Sequence, residues 1–235
     1  MKPGLHGIYT ALLFMLTGCI SQPEKAGVAI PFDAASQDTP SHRIDTASSS
    51  ARILVYRAGL ISSLGHNHIV LTRDIRGELW LQAETDDSKF HLVLPVNSFI
   101  VDPADLRAQG GADFSSVPSS ADIAGTRRNM LGEKILNAAR YPDIEIWSER
   151  IHGSGGSNRS ADIIVAARGT LSRITMPMEI KIEKEKITAT GKFILKQTDI
   201  GIAPFSVLMG TLAIRDELEI EYFLTASPIR SASNF

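Results

Sequence analysis

Apolar and polar residues alternate with a period of two through most of the chain from about Arg52 to Ala226. Leu218, Ile220, Tyr222 and Leu224 fall on one side of an extended segment and Glu217, Glu219 and Glu221 on the other, the pattern of a strand with one dry and one wet face. Met176, Met178, Ile180 and Ile182 repeat it against Glu179, Lys181 and Glu183, as do Phe90, Leu92, Leu94 and Val96 earlier in the chain. Similar runs at 52 to 58, 74 to 83, 89 to 100, 143 to 151, 161 to 172, 176 to 184, 186 to 196 and 211 to 224 predict eight strands. Short polar connections such as Gly153 to Ser160 and Glu183 to Lys186 suit an antiparallel meander.

One segment departs from this period. Between Ser119 and Ala139 the residues Ile123, Arg127, Met130, Leu131, Ile135 and Ala138 recur at three- and four-residue steps, predicting an amphipathic helix, or two short ones around Gly125 and Gly132, that ends at Tyr141-Pro142. The loop before it, Asp102 to Pro118, is long for a compact domain and is therefore functional or partly mobile. The predicted class is all-β with one helical insertion. Eight antiparallel strands suit a closed barrel, whose interior is either filled by side chains or holds one slender ligand; a solid β-sandwich fits the alternation equally well. The small residues Val165, Ala167, Gly169, Ala189 and Gly191, next to flexible Met176 and Met178, leave room for a hollow interior.

Composition sets the domain limits at 51 to 227. Residues 20 to 50 are rich in Ser, Ala, Pro, Asp and Thr without periodicity, which predicts a flexible tether over 19 to 50, and 228 to 235 reads as a short tail. At the N-terminus, Lys2, the apolar run Ile8 to Met15 and the string Leu16-Thr17-Gly18-Cys19 resemble the leader and lipobox of bacterial lipoproteins. Residues 1 to 18 are then a signal peptide and Cys19, the sole cysteine, is the site of lipid attachment. The resemblance implies export to the periplasm, and Ile20 after the cysteine implies retention at the outer membrane. An ordinary secretory signal is the other reading of this leader.

Without the leader the chain carries 23 basic and 26 acidic side chains, interleaved. No run of Lys and Arg tracks phosphates, which argues against nucleic acid as a partner. No Gly-x-Ser-x-Gly elbow, His-Glu-x-x-His helix or phosphate loop is present, so the expectation is a protein that is not an enzyme.

The most distinctive polar string is Gly65-His66-Asn67-His68. In an extended segment the two imidazoles leave the same side of the chain. Three readings compete: the string fixes a loop by satisfying backbone groups, it donates to the polar head of a ligand such as an oxyanion or quinone oxygen, or it holds a metal or haem. His42, His91 and His152 lie in the tether, on an outward face and at a strand end, and do not complete a metal set. Two weaker signals remain. Ala203-Pro204-Phe205 is a ligand-facing rim or a bend at a strand end. Arg127-Arg128 either grips a phosphate or is solvated or bridged to a carboxylate such as that of Glu133.

Gly65-His66-Asn67-His68, Thr126-Arg127-Arg128-Asn129-Met130-Leu131 with Arg140-Tyr141-Pro142, Gly169-Thr170-Leu171, Asp199-Ile200-Gly201-Ile202-Ala203-Pro204-Phe205-Ser206 and the closing Val207 to Ile220 strand together resemble the YceI-like family. The likeness spans about residues 52 to 226. It implies a lipocalin-like barrel of eight antiparallel strands, exported to the periplasm, with a hydrophobic small molecule of polyisoprenoid type inside. Ligand-binding residues expected on that basis are His66 and His68 at a polar end and Met176, Met178, Phe193 and Phe205 on the walls. No cofactor is expected beyond a bound isoprenoid lipid or quinone. Two rivals stand beside this reading: a redox or metal-associated protein using His66 and His68, and an interaction module with a filled barrel.

Overall fold

A computed structural model describes residues 31–33, 38–153 and 156–230. Its strands are β1 (His42–Ile44), β2 (Ser50–Ala58), β3 (His68–Thr72), β4 (Arg76–Trp80), β5 (Lys89–Pro95), β6 (Ile100–Val101), β7 (Asp143–His152), β8 (Asn158–Ala167), β9 (Thr170–Glu183), β10 (Lys186–Lys196), β11 (Ser206–Val207) and β12 (Leu212–Pro228). Eight of them close a ring in the order β1, β4, β5, β7, β8, β9, β10, β12, and β12 returns to β1. All pairings are antiparallel. The fold is a closed barrel, and the sandwich alternative falls away.

The long strand β12 organises the closure. One of its edges pairs with β10 from Lys196↔Glu217 to Ile187↔Ala226. The other edge is shared: β2 takes Ala213 to Phe223 and β1 takes Ala226 to Pro228. Beyond β2 the sheet continues through β3 to β6, so the barrel is tightly hydrogen-bonded at the β1 end and splayed at the other. Ile44, Ile75, Leu92, Ile187 and Ala226 pack the tight end.

The sheet therefore begins earlier than the alternation predicts, because β1 lies inside the expected tether of 19 to 50. Only three residues of β1 pair, too few to show a period. The chain before it also rests on the barrel wall: Phe32 stacks on His91 with ring centroids 4.2 Å apart, and the Trp80 indole donates to the carbonyl of Asp38. The expected leader, Cys19 and the end of the tail (231–235) lie outside the described residues.

Two α-helices occur among the described residues, where the spacing predicted one insertion, a single helix or two short ones, between 119 and 139. The first, α1 (Ala104–Gln109), lies in the long 102–118 loop. The second, α2 (Ser120–Leu131), is the predicted insertion, started by a reciprocal capping box between Ser119 and Asp122 and continuous through Gly125 to Gly132.

The β9–β10 ladder runs from Glu183↔Lys186 to Glu179↔Thr190 and stops there. Pro177 has no amide hydrogen to continue it. The Tyr222 hydroxyl crosses from the interior to donate to the Pro177 carbonyl at 2.7 Å, and it passes over Gly191, where an added Cβ would sit 2.5 Å from that hydroxyl. The turn Thr198–Ile200 packs against β9, with Ile200 and the following Ile202 buried, and Gly201 closely approaches the Thr170 side chain in the part of β9 that β10 leaves unpaired. Gly169, expected on the inner face, instead forms with Arg168 the tight turn between β8 and β9 at φ 77°, the left-handed geometry a two-residue hairpin requires.

Candidate functional site

The barrel is hollow. A cavity of about 330 Å³ runs along its interior, within the ~300–1,000 Å³ usual for small-molecule sites. The wall is the dry face that alternation marked: Leu218, Ile220, Tyr222 and Leu224 of β12 all line it, with Leu92 and Leu94 of β5 and Val165 of β8. Polar lining residues gather at the splayed end, where Arg57, His66, His68, Thr126, Asn129 and Gln197 surround the mouth. Deeper in, Thr72 is 1% exposed, and its hydroxyl has no hydrogen-bond partner among the described residues.

Of the predicted wall residues, Met176, Phe193 and Phe205 line the cavity. Met178 does not. It is buried in the core beside Pro177, in the region where the Tyr222 side chain crosses to the Pro177 carbonyl. Phe205 reaches the cavity from just before β11, and it alone of the Ala203-Pro204-Phe205 string lines it. Arg127 donates to the Asn97 carbonyl at 2.7 Å.

The Gly-His-Asn-His string divides its labour. Asn67 is buried and fixes the loop: its side-chain oxygen accepts from the Arg57 amide at 2.9 Å and its amide nitrogen donates to the Asp113 carbonyl at 2.8 Å. His68 places Nδ1 2.6 Å from the Asp102 carboxylate. With Nδ1 so engaged, Nε2 is the ring nitrogen left for other partners. His66 lies beside it, the two ring centroids 6.3 Å apart at 73°.

Behind His68 stands a buried network that the sequence did not reveal. The Asp102 side chain is 0% exposed; one oxygen meets His68 and the other accepts from the Ile69 amide at 2.9 Å and from Arg107 at 2.6 Å. Arg107, itself buried, also donates to the carbonyls of Asn67, Phe114 and Ser116. Burial works to raise the Asp102 pKa, but the bonds from His68, the Ile69 amide and Arg107 outweigh it and hold the carboxyl below its ordinary value. The 102–118 loop is thus stitched to the back of the histidine string. The sequence held one weak signal for this, an Asp and an Arg five apart in an overlong loop.

The other histidines among the described residues have separate partners. His42 bonds the Glu185 carbonyl at 2.9 Å, His91 the Glu145 carboxylate at 2.9 Å and His152 the Asp162 carboxylate at 2.7 Å. Among the described residues no group of three or more His, Cys, Asp or Glu is disposed to hold a metal ion.

The architecture is shared with solved structures. BcnA of Burkholderia cenocepacia superposes with a TM-score of 0.58 at 15% identity, covering 78% of this chain and 99% of that one. A polyisoprenoid binding domain from Saccharophagus degradans, implicated in plant cell wall breakdown, gives a TM-score of 0.54 at 10% identity over 81% and 99% of the two chains. At these identities the likeness is one of fold. No curated protein matches the sequence. The sequence matches the YceI-like domain over residues 42–226, and with the closed barrel and its cavity this places the chain in the YceI-like family.

Proposed function

We propose that this protein is lipid-anchored through Cys19 in the periplasm, at the outer membrane, and binds or carries a hydrophobic, polyisoprenoid-type ligand inside its barrel. The observation that carries the reading is the cavity, which is apolar along its length and polar at its mouth. Such a site works by desolvation. At about 0.8 kcal/mol per buried methylene, a ~20-carbon stretch contributes on the order of 15 kcal/mol before ordering and association costs are subtracted, enough for micromolar to nanomolar binding. Met176, Phe193 and Phe205 would contact the chain, while His66 and His68 would hold a polar head, a hydroxyl, an oxyanion or a quinone oxygen. The described polyisoprenoid binding of the Saccharophagus degradans domain supports the same class of ligand.

Native mass spectrometry of protein purified from cells tests this. A co-purifying isoprenoid, lost when Val165→Trp fills the cavity, is the expected result. An empty protein that also fails to take up a polyprenol or isoprenoid quinone in detergent would overturn it, and a bound metal or a visible absorbance band would favour a redox role for the histidine pair. Cys19→Ala tests the anchor separately, by moving the protein out of the outer-membrane fraction.

A further inference from the structure

Two loops form one lip of the cavity mouth. Residues 59–66 follow β2 and residues 202–214 lead into and include the start of β12. They are tied together by the Ile61 amide to the Thr211 carbonyl at 3.0 Å and by contact between Gly65 and the Leu212 side chain. Neither segment contains a Lys, Arg, Asp or Glu, in a chain that is 21% charged. Their inward residues, Gly65, Phe205, Leu212 and Ala213, line the cavity. Their outward residues are large and apolar yet in water: Leu60 is 93% exposed, Leu64 74%, Leu208 66%, and Met209 is fully exposed.

Two further features mark this lip as a built surface. Leu208 and Met209 both have left-handed backbones, φ 50° and 55°, a conformation disfavoured for non-glycine residues that calls for a functional account. The first charged side chains on the flanking strands are both cationic and exposed: Arg57, whose guanidinium donates to the Gly65 carbonyl of the lip at 2.7 Å, and Arg215, which lies over the Tyr56 ring at 5.3 Å. A contiguous apolar patch of this kind marks an interaction site. Apolar side chains rimmed by arginines whose stems can reach back toward head groups are the composition of an element that sits in a lipid interface.

We infer that the 59–66 and 202–214 lip docks on an anionic bilayer surface, with Leu60, Leu64, Leu208 and Met209 entering the interface and Arg57 and Arg215 meeting lipid phosphates. The argument for a bilayer as the occupant is continuity, since the apolar exterior of the lip runs over its edge into the apolar wall of the cavity. An isoprenoid chain leaving a membrane through water loses about 0.8 kcal/mol for every methylene exposed; a mouth seated in the interface removes that exposure. This function of the lip rests on the ligand-binding reading above, although docking itself does not.

An environment-sensitive dye on the full-length chain with Cys19→Ser, attached at Met209→Cys or, at the opposite end of the barrel, at Lys184→Cys, tests the inference. The probe is vesicles of phosphatidylethanolamine and phosphatidylglycerol with brominated acyl chains. The dye at 209 should be quenched and the dye at 184 should not, and Leu60→Asp with Leu64→Asp should weaken the 209 signal on the order of 100-fold in lipid concentration. No quenching at 209, or equal quenching at both positions, overturns the proposal. Polyprenol uptake separates the two readings. If the Leu60→Asp, Leu64→Asp protein binds polyprenol normally in detergent but acquires it from vesicles about tenfold more slowly, the lip serves loading. If the native chain takes up no polyprenol while the 209 dye is quenched, the ligand reading fails and the docking surface stands. If it takes up polyprenol with the 209 dye unquenched, the docking surface alone fails.

Discussion

Asp102 and Arg107 meet at 2.6 Å with both side chains buried, behind the cavity-lining His68. A buried pair of this kind adds little beyond the cost of desolvating it, but removing one member leaves the other uncompensated. Asp102→Ala should therefore destabilise the protein by about 3–5 kcal/mol in urea denaturation. Replacing both residues with apolar ones removes the uncompensated charge but still orphans the Ile69 amide and the carbonyls that Arg107 serves, so the double variant should lose less than the sum of the two single losses, and losses that simply add would contradict this account.

The same carboxyl gives a pH dependence whose sign follows from its depressed pKa. A carboxyl with a folded pKa below its unfolded value of about 3.9 contributes stability that is complete above that value. That contribution is lost as pH falls from about 3.9 through the folded pKa. Asp122, Asp162, Asp216 and Glu221 are also lowered and add to the same acid loss, so the test is a difference. Unfolding free energies measured between about pH 5 and pH 2 should fall less steeply in Asp102→Asn than in the native chain, and parallel curves would show that Asp102 is not linked to folding.

Much of the barrel was legible because one face of each long strand is wet. In β9, β10 and β12 the alternation survives, and the inner series from Leu218 to Leu224 emerged as cavity wall. β3 was missed for the opposite reason. Ile69 on its outer side is covered by Leu54 and Phe114, so both faces are dry and His68–Thr72 shows a continuous apolar run in place of a period. Of the site, the histidine string was visible as an unusual local motif. Asp102 and Arg107 were not, because a charged residue in a loop is read as solvated unless the tertiary fold supplies its partner. Met178 shares the face of Met176 in sequence and is buried with it in the core, yet only Met176 lines the cavity, a distinction that a two-residue period cannot make.

The bridge from the Tyr222 hydroxyl to the Pro177 carbonyl leaves Gly191 no room for a side chain in the barrel wall. A Cβ there would meet the Pro177 carbonyl and the Tyr222 hydroxyl, each at 2.5 Å, and neither is the free end of a flexible chain. Gly191→Ala should cost about 1–3 kcal/mol through forced displacement. Tyr222→Phe, which keeps the ring and removes one hydrogen bond, should cost about 1 kcal/mol. Thermal unfolding of the two variants distinguishes these effects, and equal losses would mean that the close approach is not the constraint.

Thr72 offers a test of what the cavity floor is for. Its hydroxyl is buried against the cavity without a partner among the described residues, and an unmade hydrogen bond of this kind costs about 1–3 kcal/mol. Thr72→Val keeps the shape and removes the penalty, so the ligand-free protein should become more stable by about 1 kcal/mol. If a ligand's polar group reaches that depth, the same substitution weakens its binding, and isothermal titration with a polyprenol and with the matching hydrocarbon separates the cases.

His66 and His68 differ in what holds them, and that difference predicts different phenotypes. His68 is bonded to buried Asp102, so His68→Ala removes a charge-assisted contact from the network and should lower stability by about 1–3 kcal/mol as well as weakening head-group binding. His66 lines the mouth at the start of the same string. His66→Ala should leave the unfolding free energy within about 0.5 kcal/mol of native, while a ligand with a polar head loses roughly five- to thirtyfold in affinity. A ligand without a polar head should bind both variants as it binds the native chain, because desolvation of the hydrocarbon involves neither imidazole. Measuring both ligand types against both variants separates recognition from support: if His66→Ala unfolds early or leaves the polar ligand unaffected, the string serves only to fix its loop.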